Sequence, residues 1–564
     1  MKKQTLFSVR FRIRLALTLM LCTLVLAIQP APVAHAATIT ANSLADTAGG
    51  SECTLRNAIT AANTNTATGG CPAGAAGADT INFSVSGTIT LTSALPAISQ
   101  ALTIDGPGAE SLTVSGNNLY RVLYINDGVS VTISGVTIAN GYASWGGGIF
   151  NDGTLTVDSS TFSNNRASSY GGGIGNYYGT LTVTNSTFSN NTSNDTGGGL
   201  HNWLSTATVS NSVFSGNQSV TWGGGIVTGP GSLDVTNSTF SGNFAGSHGG
   251  GGIANSTYSG STIVVVNSTF SGNRPNASGS GVANGGGGAV TLKNTIVANS
   301  AAGSNCSGTI TNGGGNLVWG DTTCPGINAD PKLDALANNG GSTQTMKLGS
   351  DSAAIDTAVP ANCPAADQRG QSRDDYNCDI GAFELKLADS TTVIKAVSGT
   401  GTYTFGPTMV KVVISTLGSL SSLTVTRTES NHPNATTGLQ TGRYWTLTPT
   451  GCGSNDCAFN LTLPTTFTPY DQDKVCRYTG SGQVWDCAMS SYTSNSITRN
   501  GVTSFSDWAA GNNVGDDGGP TAVTLRAFTA RSESGAGSGV LLLVLLALGV
   551  GGLALVRWAR HSCR

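Results

Sequence analysis

Ser160-Thr161-Phe162-Ser163-Asn164-Asn165 returns as Ser186-Thr187-Phe188-Ser189-Asn190-Asn191, Ser212-Val213-Phe214-Ser215-Gly216-Asn217, Ser238-Thr239-Phe240-Ser241-Gly242-Asn243 and Ser268-Thr269-Phe270-Ser271-Gly272-Asn273. The phenylalanines recur every 26 residues, with 30 before the last, and Ile138 and Val297 mark degenerate copies. Such a period is the signature of a repeat architecture. Seven and five residues before each phenylalanine stand Leu155/Val157, Leu181/Val183, Ala207/Val209, Leu233/Val235 and Ile263/Val265. Apolar residues two apart belong on one face of a strand. Glycine triplets begin at Gly146, Gly171, Gly197, Gly223 and Gly249, each followed by Ile149, Ile174, Leu200, Ile226 or Ile253. Strands this short bury a face only by stacking on further copies. The glycine and β-branched content excludes a helical repeat. The reading is an all-β chain whose body, residues 129–328, is a right-handed parallel β-helix of three short strands per coil. The phenylalanines should form one inward column about 5 Å apart.

Asparagine recurs too. Asn185, Asn211, Asn237 and Asn267 precede their phenylalanines by three, and Asn151, Asn176, Asn202 and Asn255 follow the triplets. Asparagine tolerates left-handed turns, and stacked amides can bond from coil to coil. Phe-x-x-Asn paired with Gly-Gly and a small or aliphatic residue resembles the repeats of polymorphic outer-membrane proteins. That resemblance implies a surface adhesin on a β-helix.

The flanks read as caps and further modules. In residues 37–128, Cys53-Thr54-Leu55-Arg56-Asn57-Ala58 resembles the CSLREA motif that opens bacterial surface β-helices, with Thr54 and Asn57 at its Ser and Glu positions. Leu55, Ala58, Ile59 and Ala62 make one helical face, suited to covering the open edge of the first coil. Residues 329–385 are similar to the choice-of-anchor Q domain. The match is carried by Asp330-Pro331-Lys332-Leu333, Asn338-Asn339-Gly340-Gly341, Ala354-Ile355-Asp356, Asp367-Gln368-Arg369-Gly370 and Cys378-Asp379-Ile380-Gly381-Ala382-Phe383-Glu384. Residues 386–512 read as a β-sandwich-like domain with Trp445, Trp485 and Trp508 in its core, and 513–538 as a stalk.

The ends predict export. Lys2, Lys3, Arg10, Arg12 and Arg14 precede an apolar run from Leu15 to Ile28 and Ala34-His35-Ala36, so residues 1–36 read as a signal peptide. The uncharged segment 539–556 is long enough for a transmembrane helix, and the basic tail 557–564 belongs inside the cell. The membrane is therefore one expected partner, with the body displayed on the outer surface. Ten of the 12 cysteines fall into local pairs: Cys53 with Cys71, Cys306 with Cys324, Cys363 with Cys378, Cys452 with Cys457 and Cys476 with Cys487. Such pairs read as disulfides in an exported chain.

Charged residues are only 10% of the chain and the net charge is −3. No basic patch lies outside the termini, which argues against nucleic acid. The five histidines are scattered, and no metal or cofactor is implied. Polysaccharide-cleaving β-helices need clustered carboxylates. Between residues 130 and 320 the acids are Asp152, Asp158, Asp195 and Asp234, no two in one column of the repeat. Aromatics do cluster. Trp145, Tyr170, Trp222 and His248 immediately precede glycine triplets, and Tyr177, Tyr178 and Trp203 follow them. They are expected to form an outer ridge that binds a glycan or another cell surface. The competing readings are a polysaccharide lyase or glycoside hydrolase, and a passive surface stalk.

Overall fold

A computed structural model describes residues 36–511, apart from 258–259, 277–278, 301–302, 374–377, 387–389 and further short stretches between 429 and 495. The repeats stack as a parallel β-solenoid. Each central coil has four strands, not the three expected. One coil runs Thr154–Asp158, Thr161–Ser163, Arg166–Tyr170 and Ile174–Tyr177. The unforeseen strand is Arg166–Tyr170, whose only buried side chain is Ala167. It carries no apolar alternation, so the pattern of hydrophobic residues could not reveal it.

Stacking is in register. Leu155, Leu181, Ala207, Leu233, Ile263 and Val290 align, as do Val157, Val183, Val209, Val235, Val265 and Leu292. Phe162, Phe188, Phe214, Phe240 and Phe270 form the expected inward column, fully buried. Their rings stack at centroid distances of 4.6, 4.5, 5.0 and 4.6 Å. The first sheet has 11 strands, from Thr38–Ala41 to Thr311–Asn312, and the phenylalanine sheet also has 11, from Gly87–Thr90 to Ile327–Asn328.

The asparagines divide into two groups. Asn165, Asn191, Asn217, Asn243 and Asn273 are buried and bond amide to amide at 2.9–3.0 Å. Asn151, Asn176 and Asn202 form a second buried ladder with 2.7 Å steps. Asn185, Asn211, Asn237, Asn267 and Asn294 instead hold left-handed turns, with φ between 42° and 49°. Three of these bind the segment 329–385 through their side chains. Asn237 donates to Ala366 O, Asn267 to Asp379 O and Asn294 to Val359 O.

That segment lies along the outside of the phenylalanine sheet with little regular structure. Ile355, Ile380 and Phe383 pack on Ile296 and Leu317. Buried pairs, Arg373 with Glu384 at 2.6 Å and Arg369 with Asp367 at 2.7 Å, fix its course. A helix at Leu55–Thr64, capped by the Thr54 side chain, covers the first coil as expected. Its Leu55, Ala58, Ile59 and Ala62 join the same core as Ile39 and Ile81.

All five expected disulfides are present. Cys53 bonds to Cys71, which ties the start of the cap helix to the loop behind it. Cys306 bonds to Cys324 and closes the last coil. Cys363 bonds to Cys378 within the segment 329–385. Cys452 bonds to Cys457, and Cys476 bonds to Cys487, both in the region that follows. Cys476 and Cys487 face each other on the paired strands Lys474–Tyr478 and Trp485–Ala488.

After residue 389 the strands are antiparallel, in sheets of six and five. Trp445 and Trp508 lie in their shared core, but Trp485 belongs to a smaller cluster with Leu439 and Cys476. Arg427, fully buried, donates to Asp356 at 2.9 Å and so ties this region to the preceding segment. Residues 1–35 of the expected signal peptide, and the expected stalk, transmembrane segment and basic tail at 513–564, lie outside the described residues. Among the described residues no helix is long and apolar enough to cross a membrane.

Candidate functional site

The glycine triplet turns the chain from the short strand of each coil into the next, Ile174–Tyr177 in the coil already traced. The first glycine of each triplet has positive φ, 69° at Gly171, 70° at Gly197 and 65° at Gly223. It also admits the outward side chain four residues later. A Cβ on Gly197 would lie 2.9 Å from His201 Cβ, and one on Gly223 2.7 Å from Val227 Cβ. The turn therefore becomes a trough floored by His201 and Val227. Trp145, Tyr170, Thr196 and Trp222 align on one rim. Tyr177 and Trp203 align on the other. The aromatics thus line a cleft of about 380 Å³, not the projecting ridge expected. The extra strand is the cause, because it sets two aromatic rows to face each other.

The rings hold one another. Trp145 meets Tyr170 and Tyr177 edge-on, at 5.0 and 4.9 Å. His201 lies 5.0 Å from the Tyr170 ring and stacks on Trp203 at 5.8 Å. Trp222 stacks on His248 at 5.0 Å. Arg121 fixes the end of the row by donating to the Trp145 and Gly146 carbonyls.

Six of the seven expected residues line the cleft: Trp145, Tyr170, Tyr177, Trp203, Trp222 and His248. Tyr178 does not. It takes φ 57°, is 65% exposed and borders a shallow hollow with Leu204 and Pro230. His248 is in the cleft but out of the expected column. Four consecutive glycines shift the register there, so Gly249 pairs with Trp222.

His201, Val227 and Asp195 were not anticipated as lining residues. The first two were legible, since each directly follows an inward residue, Leu200 or Ile226, and alternation turns it outward. Asp195 lines the cleft and accepts from the Thr221 hydroxyl at 2.7 Å. The site thus holds one carboxylate where the sequence pointed to none. Asp152 is not among the lining residues; it accepts from the Tyr124 hydroxyl at 3.1 Å, and burial raises its carboxyl above the ordinary range.

The His201 side chain has no hydrogen-bond partner among the described residues and is 6% exposed. Burial lowers its pKa to about 3. The unfolded chain protonates it below about 6.5. The unfolded state then binds more protons, so this residue makes stability fall as pH drops from about 6.5 toward 3. The slope is about 1.4 kcal/mol per pH unit. Urea denaturation of the parent at pH 7 and pH 5 should show about 2 kcal/mol more loss than in His201→Gln. Equal losses would contradict a buried neutral imidazole.

The sole cluster of metal-ligating type among the described residues is Cys452, Asp456 and Cys457. Its two sulfurs are joined in a disulfide and offer no thiolate. No protein-family model and no curated protein matches this chain, so the three sequence resemblances rest on their motifs alone.

Proposed function

We propose that this is an exported protein, displayed at a cell surface through residues 539–556, whose solenoid binds carbohydrate in the aromatic cleft. The cleft carries the reading. Its volume is within the range of small-molecule sites, and tryptophan and tyrosine faces suit sugar rings. From Trp145 to Trp222 the rim spans three coil steps, roughly 14 Å at strand spacing, enough for a short run of sugar units parallel to the solenoid axis. The leader-like start and five disulfides support export.

Asp195 gives the polysaccharide-cleaving alternative its one supporting observation. Hydrolysis of a glycosidic bond ordinarily uses a pair of carboxyl groups flanking it. Among the described residues lining the cleft, Asp195 is the sole acid. Binding without turnover is therefore the better account. A passive stalk would leave the facing aromatic rows without a purpose.

A glycan array probed with the full chain should identify oligosaccharide binders. The combined Trp145→Ala, Tyr170→Ala and Trp222→Ala variant should then bind them about 100-fold more weakly. Unchanged binding in a folded variant would refute the site. Release of unsaturated or reducing sugars by the parent would refute the non-catalytic reading.

A further inference from the structure

The polar groups of the cleft bear on which carbohydrate it takes. Among the described residues lining it there is no Lys or Arg. Arg121, beside the Trp145 end of the rim, donates to the Trp145 and Gly146 carbonyls and lies over the Tyr124 and Phe150 rings. The fixed charge present is negative, at Asp195. A chain of uronic acids would bring carboxylates to a site that repels them and offers no fork of donors.

The neutral groups are better matched. His201 is more than nine-tenths buried, lines the cleft and has no hydrogen-bond partner among the described residues. Its ring offers one donor and one acceptor when neutral. The Thr196 and Ser256 hydroxyls, also in the cleft wall, are buried without partners. Leaving such groups unmatched is costly, and most buried polar groups in proteins are paired. The two hydroxyl oxygens are sealed from the cleft, so the imidazole is the group a ligand meets, and a ligand hydroxyl, which can both donate and accept, can pair with it without adding charge. Trp203 lies over Gly229, where any Cβ would fall 2.3 Å from its ring, so this wall is set by the backbone beneath it.

We infer that the cleft takes an uncharged polysaccharide, reads its hydroxyl groups through His201, and excludes acidic chains. This rests on the carbohydrate reading above and adds the substrate class to it. The sugar rings lie against the aromatic rim at Trp222, and a ring hydroxyl reaches down to the imidazole on the floor.

The test is titration calorimetry on the full chain at pH 8, above the range in which imidazoles ordinarily carry charge. The probes are neutral gluco-, xylo- and manno-oligosaccharides against oligogalacturonates and oligomannuronates of equal length. At least one neutral series should bind about tenfold or more tighter than either acidic series. Added salt should leave neutral binding unchanged, since no ion pair is made. His201→Phe, which keeps the ring contacts with Tyr170 and Trp203, should weaken neutral binding about tenfold, and His201→Gln should restore part of it. Tighter binding of an acidic series, weakened by salt, would overturn the inference while leaving the carbohydrate site standing. Unchanged neutral binding in a folded His201→Phe protein would overturn the role of His201. Failure of every neutral and acidic series to bind would overturn both readings.

Discussion

Phe214→Ala should lower stability by about 3–5 kcal/mol, the cost of emptying a fully packed aromatic site. Phe214 is completely buried and stacks on two neighbours, Phe188 at 4.5 Å and Phe240 at 5.0 Å. A Cβ on Gly199 would already lie 2.9 Å from the Phe214 ring, so the wall beside it is backbone. Backbone held by coil-to-coil hydrogen bonds cannot move in to fill a void. The cavity term should therefore stay near its upper range. Phe162 is the control. Its column neighbour on one side is Ile138, so Phe162→Ala forfeits one ring contact instead of two. Its loss should be smaller by about 0.5–1.5 kcal/mol. A stacked array opens locally as well as globally. Hydrogen exchange should accordingly show the strands Thr187–Ser189, Val213–Ser215 and Thr239–Ser241 losing protection together. A loss below about 1 kcal/mol in denaturant melts would show that the column is not packed as described.

The column was legible because three facts agreed: a fixed spacing, a period-2 apolar pattern, and phenylalanine in the same place in every copy. The disulfides, Cys53 to Cys71 and Cys306 to Cys324 among them, were legible because the ten cysteines fall into five pairs close in sequence. The cap helix could be read from Leu55, Ala58, Ile59 and Ala62 alone. The cleft was only half legible. Its aromatics could be counted from the triplets, but whether they project or face each other depends on Arg166–Tyr170 and its counterparts, which bury almost nothing and leave no hydrophobic trace. His248 was misplaced because a run of four glycines does not say which three form the turn. Asp195 escaped because its importance comes from a neighbouring coil, through Thr221, 26 residues away. The role of segment 329–385 was invisible for a similar reason. Its grip on Asn237, Asn267 and Asn294 joins residues far apart in the chain.

Asparagine shows how two residues of one type, side by side, differ in consequence. Asn190 and Asn191 are adjacent in the repeat. Asn190 takes φ 54°, and the same place is filled by Gly216, Gly242 and Gly272 in later coils, at φ 63–67°. Its task is to allow a left-handed turn, which glycine does equally well. Asn190→Gly should change stability by no more than about 0.5 kcal/mol. Asn191 is fully buried, and its side chain makes four hydrogen bonds. It accepts from the Asn165 backbone N–H and side-chain amide, both at 3.0 Å. It donates to the Phe162 carbonyl and to Asn217 Oδ1, both at 2.9 Å. Asn191→Leu has nearly the same volume but can make none of them. The Asn217 oxygen keeps the Asn191 backbone N–H, and the Asn165 amide keeps the Ile138 carbonyl. The Asn165 backbone N–H loses its acceptor, in a place water cannot reach. One orphaned donor costs about 1–3 kcal/mol, and the other lost bonds about 1 kcal/mol each. The sum is about 4–6 kcal/mol, at least as much as deleting a core phenylalanine although no apolar surface is lost. Denaturant melts of the two variants side by side decide the matter. Equal effects from Asn190→Gly and Asn191→Leu would mean that the ladder contributes no more than the turn it follows.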